Sequence, residues 1–233
     1  MAFEDSSFEL IEKKIKYKFK NASLLRQALT HSSYVFENKM EKSCSNERLE
    51  FLGDALLGFV VGRIVFDLFP AEAEGVISKI KGYWVSAKVL SKIAEEIGLH
   101  SGLLLGSGEE KSGGRKNGNN LTNAFEALVA AVYLDGGIRK ADGLITRLFK
   151  KRIEEMGTKV ILFDFKTRLQ EVYQEKYKDK PKYFTEYKTD HFVSKAMFRG
   201  RIIGKGSGSS KKNAEQEAAK LALEKIEKRK RGF

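Results

Sequence analysis

Residues Asn46 to Leu56 read NERLEFLGDAL, and within them Glu47, Glu50 and Asp54 stand at positions i, i+3 and i+7. On a helix of 3.6 residues per turn these lie within about 60° of one another, so three carboxylates share one stripe. Like charges at such spacing cost a helix about 0.2–0.5 kcal/mol per pair. Set beside the apolar Leu49, Phe51, Leu52 and Leu56, the stripe needs compensation. One source is solvent, with Arg48 and nearby lysines as partners. The other is a hard divalent cation, for which oxygen-only ligands suit Mg²⁺, Mn²⁺ or Ca²⁺; Mg²⁺ takes one or two carboxylates and keeps waters for a phosphate substrate.

A second segment favours the cation. In Leu121 to Leu134 (LTNAFEALVAAVYL) Leu121, Ala124, Phe125, Leu128, Val129 and Val132 recur at helical spacing, and Glu126 is the sole charge. A carboxylate buried in such a helix needs a partner or a metal, because alone it neutralises. Asn123 precedes it by three residues on the same face. Two buried helices offering Glu50, Asp54, Asn123 and Glu126 to one point would form an all-oxygen site for one or two Mg²⁺ ions, suited to phosphodiester hydrolysis.

These residues resemble the signature of the ribonuclease III family. ALTHSSY (Ala28 to Tyr34), AEG (Ala73 to Gly75), GEEKSGGR (Gly108 to Arg115) and AFEALVAAVYLD (Ala124 to Asp135) resemble bacterial ribonuclease III in order and spacing, over essentially the whole chain. The resemblance implies that Glu50, Asp54 and Glu126 are metal-site residues and Glu47 and Glu74 auxiliary acids of cleavage. One position departs from the pattern: Asn123 stands where the family has Asp. Asn keeps a carbonyl oxygen but removes one negative charge from a site that must hold dications against a polyanion, so metal affinity should fall. Two readings follow, a natural variant with weaker activity or an introduced change that keeps shape and disables cleavage.

The chain's length allows one large or two modest domains. No apolar run reaches ~18 residues and the start, MAFEDSSFEL, is acidic, so neither a membrane span nor secretion is expected, and the protein is expected to be cytoplasmic. Cys44 is alone and the three histidines are scattered, which gives no disulfide and no zinc spacing. The formal charge of +12 implies an acidic partner. Residues 160–233 hold 19 Lys and Arg against 10 Asp and Glu, a net +9, whereas residues 1–159 hold 24 against 21, a net +3. This shift places a boundary near Met156 to Lys159, with Gly157 as helix stop. The expected division is a domain at 1–156, a linker at 157–160, a second domain at 161–229 and a basic tail at 230–233.

Upstream of the boundary, Leu24 to Leu29, Val85 to Ile97 and Gly143 to Ile153 carry helical patterns with no convincing strand alternation, so the N-terminal domain should be all-α. Downstream, Asp164 can cap a helix running through Leu169 and Val172 toward Tyr177. Pro181 then introduces extended segments near Lys182 to Lys188, Phe192 to Arg199 and Arg201 to Gly204. A last helix starts near Ser210, with Ala214, Ala218, Leu221 and Ala222 as a stripe for close packing on a sheet. The order is α-β-β-β-α.

Lys211 and Lys212 open that last helix, with Lys205 just upstream in a Gly-Ser loop. A helix N-terminus disfavours cations by about 0.3–1 kcal/mol each, so the arrangement suits an arriving phosphate, held by dipole, amides and lysines together. GSSKKNAEQEAAK resembles the C-terminal signature of the double-stranded RNA-binding domain, and KTRLQE (Lys166 to Glu171) its first helix. This resemblance implies that Gln170 and Glu171 face a minor groove, the loop of Thr189 to His191 enters the next, and Lys211 and Lys212, with Lys205, hold phosphates between them. The terminal EKRKRGF is expected to be disordered.

The resemblance as a whole implies an endoribonuclease that cleaves double-stranded RNA, using Mg²⁺ (Mn²⁺ as substitute) and no small-molecule cofactor. It implies a homodimer with Phe51 at the interface, each subunit cutting one strand to leave 5′-phosphates and short 3′ overhangs, in processing of ribosomal and other RNA. The rival expectation is a double-stranded RNA-binding protein whose cleavage is impaired by Asn123.

Overall fold

The computed structural model describes residues 2–157 and 165–231, with backbone alone for residues 2–5 and 227–231. The chain divides into two units, Met1–Gly157 and Thr158–Phe233. The expected cap Asp164 and most of the expected linker, Thr158 to Val160, lie outside the described residues.

The first unit is helical: α1 (Ala2–Ile15), α2 (Ala22–Ala28), α3 (Ser32–Glu37), α4 (Glu47–Leu68), α5 (Glu74–Trp84), α6 (Ala87–Ile97), α7 (Leu99–Gly102), α8 (Ser107–Lys111), α9 (Gly118–Gly136) and α10 (Ile138–Met156), with 3₁₀ turns at Lys42–Cys44 and Gly114–Lys116. Helix α9 is the axis of the unit. From Asn120 to Val132 every residue except Asn123 is buried, because α2, α4, α6 and α10 pack around it. A helix apolar all round has to occupy a core. Around it stand Phe125, Phe149 and Trp84, whose rings meet at centroid distances of 6.3 Å (Phe125–Phe149) and 6.4 Å (Trp84–Phe149), tilted or edge-on as aromatic quadrupoles prefer. Helix α6 shows the simpler one-sided pattern, burying Val89, Leu90, Ile93, Ala94 and Ile97, and Gly98 ends it in the left-handed conformation at φ 87°.

Helices α4 and α9 cross at Gly53. A Cβ built on Gly53 would lie 1.8 Å from the carbonyl oxygen of Glu126, so backbone meets backbone there and no side chain fits. Further along, Arg63 of α4 pairs with Asp142 of α10 at 2.7 Å. The turn between α2 and α3 is pinned by main-chain hydrogen bonds, Leu104 N–H donating to Leu29 O at 2.8 Å and His31 N–H to Leu104 O at 3.0 Å.

The second unit has the order α11 (Phe165–Tyr177), β1 (Lys182–Lys188), β2 (His191–Phe198), β3 (Arg201–Gly208), α12 (Lys211–Arg231), with the three strands antiparallel in the order β1-β2-β3. Leu169, Tyr173, Ala196, Ala218, Ala219, Ala222 and Leu223 form its core between sheet and helices. The third strand runs four residues beyond the expected Gly204, so that GKGSG is strand rather than loop. Its glycines explain why. A Cβ on Gly204 would lie 2.1 Å from Ala218 O, on Gly206 2.3 Å from Ala218 N, and on Gly208 2.7 Å from Ala214 N. Alternate positions are therefore stripped to glycine so that α12 can lie against the strand, and a pattern that usually marks a loop is the imprint of a helix. Helix α12 also continues through Glu227 to Arg231, where disorder was expected; Gly232 and Phe233 lie outside the described residues. Across the unit, buried Glu215 accepts from the Lys166 ammonium at 2.7 Å and from the Thr185 hydroxyl at 3.3 Å, which satisfies that carboxylate.

Candidate active site and RNA-binding surface

The stripe on α4 and the polar pair on α9 meet at the crossing. One cleft of about 570 Å³ is lined by Glu47, Glu50, Phe51 and Asp54 of α4, by Asn123 and Glu126 of α9, and by His31, Ser32 and Asn46. Gly53, between Glu50 and Asp54 in sequence, makes the juxtaposition possible, since the α4 backbone rests on Glu126 itself.

The cleft is negative. Glu126 is 8 % exposed. Burial first, then the charges of Asp54 and Glu50, push its carboxyl up to about 7. Glu50 is also raised, by burial and by Glu47 and Asp54. Neither Lys nor Arg lines the cleft, and the one ionisable base there, His31, has its Nδ1 within 2.8 Å of the Ser33 hydroxyl and accepting from Ser33 N–H at 3.2 Å. Among the described residues, no three acidic, histidine or cysteine groups are drawn tightly enough around one point to hold a metal as they stand. Carboxylates that share a site without a counter-charge either part or protonate. The donor set nevertheless fits a hard dication. It is all oxygen, comes from two fixed helices, and carries charge that no Lys or Arg lining the cleft neutralises.

The structure brings Glu47, Glu50, Asp54, Asn123 and Glu126 together and leaves Glu74 apart. Glu74 lies exposed at the start of α5, accepting from the Ser78 hydroxyl at 2.7 Å. Phe51 belongs to the cleft rim rather than the core; it is 81 % exposed. Sequence reasoning gave no role to His31, Ser32 or Asn46, which complete the lining. Their signal lay in ALTHSSY and in the residue heading NERLEFLGDAL. Buried Asn46 is tied down by its N–H to Thr30 O at 2.9 Å and so fixes the entry to α4.

In the second unit, Lys211 and Lys212 are exposed on the first two residues of α12, whose first turn holds no acid; the Ser210 hydroxyl accepts from Asn213 N–H at 3.2 Å as a cap. Gln170 and Glu171 are exposed on α11. His191 follows the β1–β2 turn, where Thr189 is left-handed at φ 45°, and its Nδ1 lies 2.6 Å from Asp190, whose carboxyl it holds below the usual range. Lys205 departs from the expectation. It pairs with Lys195 across β3 and β2 and faces the solvent side of the sheet, while its neighbours Gly204 and Gly206 face α12. Lys205 is thus a strand residue rather than the loop residue expected.

Comparison with known proteins agrees with both halves. The Ribonuclease-III-like family model matches residues 21–153 and the double-stranded RNA binding motif matches residues 165–226. Ribonuclease 3 of Caldanaerobacter subterraneus subsp. tengcongensis is 44% identical over 93% of this chain and 96% of its own. Ribonuclease 3 of Geobacter metallireducens is 41% identical over 95% and 92%. The solved nuclease domain of ribonuclease III from Campylobacter jejuni superposes with a TM-score of 0.57 at 40% identity, covering 61% of this chain and 96% of that domain. With its nuclease and double-stranded RNA-binding halves both matched, the chain belongs to the ribonuclease III family of endoribonucleases.

Proposed function

We propose that the protein hydrolyses phosphodiester bonds in double-stranded RNA with Mg²⁺ as cofactor, Mn²⁺ substituting, and that Glu50, Asp54, Asn123 and Glu126 hold the metal. The observation that carries this reading is the cleft without a cation in its lining, in which burial and neighbouring acids raise two carboxyls, Asp54 and Glu50 acting on Glu126, and Glu47 and Asp54 on Glu50. Mg²⁺ bound there supplies a Lewis acid for the phosphoryl oxygen and an acidified water, so no protein nucleophile is required. The three carboxylates and the Asn123 amide oxygen orient that ion. Glu47, exposed at the mouth, adds negative charge beside it. Glu74, at the start of α5, serves as an auxiliary acid from outside this cleft. Lys211 and Lys212 take phosphates of the same duplex at the start of α12, and Gln170, Glu171 and His191 enter its minor grooves.

The working form in this reading is a homodimer built on α4. Phe51, Phe59 and Phe66 are 81 %, 64 % and 68 % exposed and recur on one side of that helix, an apolar stripe that solvent tolerates poorly. A hollow beside the cleft, lined by Val35, Phe36 and Met40 among others, offers apolar surface to match. Two such subunits, each cutting one strand, leave 5′-phosphates and short 3′ overhangs, the ends expected of a cytoplasmic enzyme that processes ribosomal and other RNA.

Asn123 supports a second reading, a double-stranded RNA-binding protein that cleaves poorly or not at all. Labelled duplex RNA incubated with the chain and with Asn123→Asp, across a Mg²⁺ series and with chelator, separates the two. Metal-dependent cleavage by both supports the enzyme. Binding without cleavage by the parent, restored in Asn123→Asp, supports the second reading. No cleavage by either sinks the proposed metal site.

A further inference from the structure

The nuclease unit is nearly neutral in total, yet it gathers cations at one corner far along α9 from the cleft. The segment joining α1 to α2 reads KKIKYKFK from Lys13 to Lys20. It packs where α9 hands over to α10, and there a cavity of about 280 Å³ is lined by Ile15, Lys16, Tyr17, Arg139, Lys140, Gly143, Leu144 and Arg147. Four of these eight are cations and none is an acid.

The nearby acids are occupied elsewhere. Asp135 accepts from the Tyr17 hydroxyl at 2.6 Å and from the main-chain N–H groups of Lys20 and Asn21 at 2.9 Å, which clips the segment in place. Glu12 accepts from Phe19 N–H at 2.8 Å, and Asp142 pairs with Arg63. Arg147 donates to the Ile15 carbonyl and so closes one wall. Lys16, Arg139 and Lys140 are exposed, and among the described residues their side chains make no ion pair or hydrogen bond. One detail weighs against ordinary solvated cations. Arg139 and Lys140 sit in the first turn of α10, a turn with no acid and no side-chain cap, where the helix dipole repels them. An arriving anion relieves both cations at once.

We infer that Lys16, Arg139 and Lys140, steadied by Arg147, form a phosphate-binding surface for the backbone of duplex RNA, separate from the cleft and from the start of α12. The inference rests on the proposed reading that duplex RNA is the substrate. Lysine and arginine on phosphates release counterions, so each contact adds to the salt dependence of binding without favouring any sequence.

The test uses the full chain carrying Lys16→Ala, Arg139→Ala and Lys140→Ala, with RNA duplexes of about 16 and about 40 base pairs. The shorter matches the span of one double-stranded RNA-binding domain. On the longer duplex the triple variant should bind about tenfold more weakly at low salt, and the slope of log affinity against log salt should fall by about 2–3. On the shorter duplex it should match the parent within about twofold. Lys16→Arg with Lys140→Arg should bind as the parent does. An unchanged slope on the long duplex overturns the inference, as does a loss seen only on vesicles of anionic lipid, or a triple variant that binds normally and melts at a lower temperature. If the triple variant fails to fold, Arg139→Gln alone should show about one third of the slope change, and no change there is equally fatal. A parent that binds neither duplex removes the proposed substrate, and this surface with it.

Discussion

The acidic cleft of the first unit and the lysine pair of the second break the same electrostatic rule in opposite ways. Glu50, Asp54 and Glu126 crowd like charge around one cleft, with Glu126 buried and Glu50 half-buried, and the protein shows the strain by raising those two carboxyls. Lys211 and Lys212 also stand where their charge is unwelcome, but in full contact with solvent. Water screens the second arrangement fully and the first only in part, since Glu126 is buried. Functional charge therefore costs stability in the cleft and almost none at the start of α12, and substitutions in the two places should part company.

Both places also depend on close backbone contact, and breaking that contact should have the largest effect. Gly53→Ala puts a methyl group inside the Glu126 carbonyl, with rigid main chain on both sides, and should destabilise the first unit by about 3 kcal/mol or more in urea unfolding. A loss under about 1 kcal/mol would mean that α4 and α9 separate easily and that the cleft is not a fixed one.

Glu126→Gln comes next, and it should act in two directions. Cleavage should vanish while duplex binding survives. The metal-free protein should become more stable, because a carboxyl whose pKa rises from 4.5 to about 7 on folding opposes the folded state wherever it has to ionise. Below pH 4.5 both states are protonated and the substitution is neutral. The gain grows between 4.5 and 7 and is complete above 7, on the order of 3 kcal/mol. A thermal melting series over pH checks this, and an equal gain at pH 4 would show that charge is not its cause.

Asn123→Asp should increase cleavage at limiting Mg²⁺ by about tenfold or more and lower the Mg²⁺ concentration needed, since it restores a negative ligand. An identical rate and metal requirement would mean that this position does not touch the ion. The smallest effect belongs to the exposed pair. Lys211→Ala with Lys212→Ala should weaken duplex binding about tenfold and reduce the salt slope by about 2 while leaving stability within about 0.5 kcal/mol. Unfolding of the second unit by this pair of changes would turn the comparison around.

Helical periodicity made the site legible because both of its halves lie on long helices. The stripe of Glu47, Glu50 and Asp54 and the lone Glu126 were readable from spacing alone, and so was the α-β-β-β-α order of the second unit. Three things escaped. Glycine at alternate positions of β3 looks like loop until α12 lies against it, so the strand was read as ending at Gly204 and Lys205 was placed in a loop. The crossing at Gly53 is a tertiary fact, and a glycine within a helical pattern does not say which backbone will approach it. His31 and Asn46 reach the cleft through main-chain links to Leu104 and Thr30, pairings between segments far apart in the chain that no local pattern announces.

The contact between Gly53 and Glu126 also bears on how this site could persist as the rest of the molecule changes. Where two helices meet through side chains, every substitution in the seam resets their separation. Here main chain meets main chain, so the offset between the α4 acids and Glu126 is specified by atoms common to all residues, and the surrounding core is free to drift in volume and identity without altering it. One glycine therefore sets that spacing through main-chain contact alone.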